Sequence, residues 1–206
     1  MTALVAVSTY LPGEQVPIET LAPKFGLTTM QVRVFRKYHK LGNVRRAPQS
    51  SLMDLLRGAL SNLDALRGQE QQVRYVLYAR TVPLVVPYPL NPLHEICQEF
   101  GLGHAEAFTV THQACASGLQ TIDLAGRLLA GADDPSALAL VLAGEKAFTG
   151  EAQLIPETSF FGEGASACLL RADGPRDRQL SYAAILRGEF DGEMHDVAGE
   201  FQRAYP

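Results

Sequence analysis

The stretch ALALVLAGE, Ala137 to Glu145, constrains the fold more than any other part of this 206-residue chain. Seven consecutive apolar residues run up to a Gly-Glu exit, so a strand here has no polar face and must be covered on both sides. That is the pattern of a central strand in a parallel or mixed sheet. LVAVSTYLP (Leu4 to Pro12), QVRYVLYAR (Gln72 to Arg80), AFTVT and GASACLLRA read as companion strands, and LSYAAILRGEF as a last one.

Helical patterns lie between them. SLMDLLRGALSNLDAL puts Leu52, Leu55, Leu56, Leu60 and Leu63 on one face behind a serine cap. PIETLAPKFG and MQVRVFRKYHKLG predict shorter helices, the second ending at Gly42, and a further helix is expected from Leu93 to Phe100. EMHDVAGEFQRAY predicts a terminal helix or tail. Strands alternating with helices imply an α/β fold, read as one compact unit over 1–206.

Charge and composition exclude several roles. The net charge is −4 and the longest basic run is Arg45-Arg46, so no nucleic-acid footprint is present. No apolar run approaches the ~20 residues of a membrane helix. The start MTALVAVSTYLPGE lacks the positive flank of a secretory signal, and a cytosolic protein is expected. Cys97, Cys115 and Cys168 are odd in number and widely spaced, which suits neither a disulfide framework nor zinc. No metal or organic cofactor is implied.

Cys115 stands apart from the other two. In FTVTHQACASGLQTIDLAGRLL it falls where a short strand turns into a helix, among Ala114, Ala116, Ser117 and Gly118. Unpaired N–H groups and the helix dipole at such a start favour the thiolate, the reactive form of the side chain. Small neighbours leave room for a substrate carbonyl. A free cysteine is also a common small core residue, and no base is evident beside this one, so composition and spacing leave both readings open. Leu119, Ile122 and Leu129 predict the buried face of the following helix, with Asp123 and Arg127 paired across one turn.

THQACASGLQTIDLA resembles the nucleophile segment of the thiolase-fold condensing enzymes, in particular ketoacyl-ACP synthase III and its relatives. ALALVLAGEKAF, TSFFGEGASACLL and ILRGEFDGEMHD resemble three further segments of that family, in the same order and at fitting spacing. The resemblance implies a thiolase-like half-domain, with a mixed five-stranded sheet and helices on both faces. It implies that Cys115 accepts an acyl group from a thioester, carried by acyl carrier protein or CoA, with Gly118 allowing close approach of substrate. It also implies a homodimer, in which Tyr88 of PYPLNPLHE matches the aromatic residue that one subunit pushes into its neighbour's acyl pocket. The family's catalytic His and Asn belong to a second, similar half. None of His39, His94, His104, His112 and His195 stands in the matching setting, so the resemblance implies a companion chain or a continuation carrying that half. The other reading is a non-catalytic partner that shapes a companion ketosynthase.

The remaining features have simpler readings. His112, three residues before Cys115, reads as a structural strand-end histidine rather than its base. Glu145 reads as ion-paired or solvated, and Cys97 and Cys168 as core. The glycines of FGEGASA read as turn and close-packing positions, with Phe160 and Phe161 buried. The chain has no tryptophan. By the resemblance Val32 matches the position of the adenine-stacking tryptophan of CoA-primed relatives, which weakens the case for a CoA-primed initiating enzyme and leaves a carrier-protein donor open. Arg33, Arg36, Lys37, Lys40, Arg45 and Arg46 form a basic cluster that suits an acidic carrier protein or a solvated face.

Overall fold

The computed structural model describes residues 2–81, 91–111, 113–147, 153–155 and 159–185. In chain order the elements are β1 (Ala3–Tyr10), β2 (Gln15–Pro17), α1 (Ile18–Leu21), α2 (Thr29–Lys37), β3 (Asn43–Arg45), α3 (Leu52–Ser61), β4 (Val73–Ala79), α4 (Pro92–Glu99), β5 (Glu106–Val110), α5 (Ser117–Ala130), β6 (Leu138–Glu145), β7 (Leu154–Ile155), β8 (Ser159–Phe160) and β9 (Gly164–Arg171). They group into two units: Met1–Gln15 with Arg45–Lys146 and Glu163–Leu180, and Val16–Val44 with Ala147–Gly162 and the chain from Ser181 onward.

The larger unit is built on a five-stranded sheet of order β1-β9-β6-β4-β5. β4, β5 and β6 run parallel, while β9 pairs antiparallel with both β6 and β1. The apolar strand read from ALALVLAGE is β6, central as its composition requires, with Leu138 through Val141 and Leu142 all buried. Helices cover both faces. On one face α3 lays Leu52, Leu55, Leu56 and Leu60 against Val76, Tyr78, Leu140, Leu142 and Leu169. A capping box fixes its start, with the Ser51 hydroxyl accepting from the Asp54 N–H and the Asp54 carboxylate accepting from the Ser51 N–H. A Cβ at Gly58 would lie 2.5 Å from the Tyr10 ring, so glycine is what lets α3 rest on β1.

On the other face α5 covers Leu77, Ala139, Val141 and Leu170 with Ala125 and Leu129. Its buried positions are Ser117, Thr121, Ala125, Gly126 and Leu129. Leu119, expected inside, is 67% exposed. Small residues let the helix axis approach the sheet closely, and Thr121 satisfies its hydroxyl by donating to the Ser117 carbonyl at 2.6 Å. A reading based on hydrophobicity passes over such a spine.

The smaller unit has its own core of Ile18, Phe35, Val44 and Phe160, with the Phe160 ring 5.5 Å from Phe25 and 5.4 Å from Phe35. Phe161, expected in the core, is instead 37% exposed. α2 begins on a Thr28–Gln31 capping box. It stops at Lys37 rather than running to Gly42, because Lys40 adopts φ +56° and the Leu41 N–H folds back onto the Phe35 carbonyl, closing the helix early.

The last expected strand is absent from residues 180–185. The chain bonds to the outer edge of β1 only where Leu4 and Gln179 donate to Asp177 and Thr2, beside a single bridge between Ala3 and Arg178. Over residues 180–185 no ladder forms, and Leu180 and Ile185 are exposed. The rest of that stretch, and the expected terminal helix, lie outside the described residues.

Candidate functional site

The carboxyl ends of parallel strands are where α/β sheets place their chemistry. β4 and β5 end together, with the Arg80 N–H donating to the Val110 carbonyl at 3.0 Å. From β5 the chain passes to a single 3-10 turn, Ala114–Ala116, that leads directly into α5. Ala114 has φ +44°. A non-glycine residue held there costs of order 1–3 kcal/mol, and such outliers gather at functional turns. The strain sets the next residue, Cys115, on the exposed side of the turn.

Its surroundings are small. Ala114 and Ala116 are exposed, and a Cβ added at Gly118 would meet nothing within 4 Å. Among the described residues, then, no packing demands glycine at 118. Beneath the turn the polarity is unusual. Among the described residues the buried Ser117 has no partner for its hydroxyl, and the buried Thr111 hydroxyl and Gln120 carbonyl oxygen also lack partners. No side chain caps the start of α5.

The other cysteines differ in kind. Cys97 is buried on α4, and burial pushes its thiol up to about 11. Cys168 is half-buried in β9, and burial raises it as well. Of the three, only Cys115 is exposed. Tyr88 and His112 lie outside the described residues.

A charged cluster at the same end of the sheet went unnoticed in the sequence. Lys146 and Glu163, 6% and 5% exposed, form an ion pair of 2.7 Å. The same Glu163 oxygen accepts the Ala47 N–H at 2.7 Å, and Lys146 donates to the Ala47 carbonyl. Arg46 is buried beside them; burial lowers its guanidinium and the nearby Glu163 opposes this. Arg80 lies over the Tyr78 ring at 5.4 Å, and the Tyr78 hydroxyl donates to the Gly144 carbonyl at 2.6 Å. Glu145 is half-buried and accepts the Thr81 N–H at 2.7 Å, so it holds the chain leaving β4. These bonds tie the exits of β4 and β6 to the entry of β9. The available signal was a charged Glu-Lys pair directly after an apolar strand, and a lone Glu between two glycines before another. Among the described residues no group of His, Cys, Asp and Glu is placed to hold a metal ion.

No protein-family model matches the chain, and no curated protein matches it closely enough to count. Solved structures do. ChlB3, an acyltransferase, superposes with a TM-score of 0.70 at 20% identity, over 84% of this chain and 50% of that one. The priming β-ketosynthase of the R1128 polyketide pathway gives 0.66 at 17% identity, over 86% and 51%. The fold is that of the thiolase-like condensing enzymes. The HMG synthase of the curacin pathway, solved in complex with an apo donor-ACP, belongs to the same set at 0.61 and 21% identity, over 83% and 40%. The chain thus spans about half the length of the thiolase-like enzymes it matches.

Proposed function

We propose that this chain is the nucleophile-bearing half of a ketosynthase or acyltransferase of the synthase III type, and that Cys115 carries the acyl group. The observation behind this reading is the exposed thiol on a strained turn at the carboxyl end of β5, heading a 14-residue helix among small neighbours. The Cys115 thiolate attacks the carbonyl carbon of an acyl thioester, the carbon–sulfur bond to the donor breaks, and the donor thiol departs with a proton. The product is an acyl-Cys115 thioester, the first half of a ping-pong scheme. The Cys115 N–H stabilises the oxyanion with a second donor from the companion half. Condensation or transfer to an acceptor then uses the His and Asn of that half, on this polypeptide or another. Gly118 and Tyr88 contribute to the acyl site, Tyr88 across a homodimer. The donor is a carrier-protein thioester, a reading supported by the donor-ACP complexes among the similar structures.

The test is mass spectrometry of the full chain after incubation with acetyl-pantetheine or an acetyl-carrier protein. An acetyl adduct on Cys115, absent in Cys115→Ala and with Cys97 and Cys168 unmodified, is expected. No adduct, with or without a companion chain bearing the second half, would leave the scaffold reading.

A further inference from the structure

α2 carries a surface that its fold does not use. Phe35 is its buried residue, packed with Ile18 and Phe160. On the outer side Met30, Val34 and Tyr38 follow one another at four-residue spacing and are 65%, 39% and 86% exposed. A large apolar side chain in water at each successive turn is costly, and a stripe of three marks a contact surface. Arg33 and Lys37 lie along its flank, both exposed, with Lys40 just beyond the helix. From Thr29 to Lys40 there are four Lys and Arg and no Asp or Glu, in a chain whose net charge is −4. Only Arg36 has a partner, Glu19; Arg33, Lys37 and Lys40 have no ion pair among the described residues. Basic residues do favour a helix C-terminus, which accounts for Lys37 but not for Arg33 in the middle or for the apolar stripe beside it.

We infer that this face of α2 docks the carrier protein, receiving an acidic helix that sets an apolar residue against Met30, Val34 and Tyr38 and its carboxylates against Arg33, Lys37 and Lys40. The inference rests on the carrier-bound donor proposed above. Charge complementarity decides the occupant: an apolar strip with cations along one flank matches a small acidic helical protein and opposes a second copy of this helix, whose cations would face these. Cations on the rim steer encounter and make it salt-dependent, and the stripe slows release.

The experiment measures binding of an acetyl-loaded acidic acyl carrier protein to the full chain by titration at low and raised salt, together with Cys115 acetylation from that carrier and from acetyl-pantetheine. Arg33→Glu/Lys37→Glu should weaken carrier binding and carrier-dependent acetylation at least tenfold, and Met30→Ser several-fold, with acetylation from acetyl-pantetheine unchanged. Arg67→Glu/Arg176→Glu, an equal charge change elsewhere, should bind as the parent does. Equal loss in that control overturns the docking surface in favour of bulk charge. Unchanged binding of the α2 variant, or a parent that takes acetyl from pantetheine yet ignores the carrier, also overturns it while leaving acyl transfer intact. Carrier binding lost in the α2 variants, with Cys115 never acylated, upholds the surface and overturns the catalytic proposal instead.

Discussion

The two faces of the five-stranded sheet are finished to different degrees. Under α3 the sheet is closed: Leu55, Leu56, Ile96, Leu102, Leu140, Leu142 and Leu169 are fully buried and interlock with little polar content. Under α5 the covering spine is made of Ser117, Thr121, Ala125 and Gly126, while Leu119 and Val7 are exposed and Phe108, Val110 and Cys168 are only half-covered. One face holds the molecule together. The other leaves apolar surface and, among the described residues, unpartnered polar atoms beside the exposed cysteine.

The contrast can be broken by mutation. The largest effect is expected at the buried pair beside the site: Lys146→Met removes the ammonium paired with the buried Glu163 carboxylate and should lower the unfolding free energy by about 3–5 kcal/mol, read by urea denaturation. Leu55→Ala, on the closed face, should cost about 2–5 kcal/mol in the same assay. Leu119→Ala should change stability by less than about 0.5 kcal/mol; a loss comparable to that of Leu55→Ala would show that the α5 face is closed after all. Thiol labelling extends the comparison to chemistry. Under native conditions a maleimide should modify Cys115 in minutes and leave Cys97 untouched until the protein unfolds, since Cys97 is buried with its thiol pushed up to about 11.

Two smaller effects sharpen it. Ala114→Gly relieves the strained backbone and should raise stability by up to about 1 kcal/mol, while slowing acylation of Cys115 because the turn no longer fixes the thiol. Equal acylation rates would show that the strain has no part in the chemistry. On the α3 side, the Ser51 backbone N–H, then its hydroxyl, and then Arg57 hold the Asp54 carboxyl below its ordinary range. A depressed folded value stabilises the protein above the unfolded pKa of about 3.9 and loses that contribution as pH falls through the folded one. Melting temperature should therefore drop from pH 5 toward pH 3 by more in the parent than in Asp54→Asn, as followed by circular dichroism.

Much of this was legible in the residues. An unbroken apolar run suits a central strand, and the serine cap with its leucine face located the start of α3, although the helix stops at Ser61 and Leu63 and Leu66 of the stretch read as helical lie beyond it. The small neighbours of Cys115 and its place between a strand and a helix were legible, and the structure sets it, exposed, on the turn between β5 and α5. The buried stripe of α5 was not, because Ser117 and Thr121 look polar until a backbone carbonyl takes up the Thr121 hydroxyl. Nor were Lys146 and Glu163, since their burial depends on strand order, which sets the end of β6 beside the start of β9. Of the strand expected from Leu180, the described residues 180–185 form none; a strand-like stretch also needs a neighbour to pair with. Phe161 failed for a related reason: adjacent residues in extended chain point opposite ways, so only Phe160 of the pair reaches a core.

β1 occupies residues 3–10 and pairs along its length with β9, residues 164–171. More than 150 residues separate these partners, so β1 has no ladder until β9 has been synthesised. The parallel trio β4, β5 and β6 can form with α3 and α5 well before that. Nascent chains halted ahead of residue 164 would then carry an unmatched, β-branched β1, open to holdase chaperones, and completion of β9 would end that exposure.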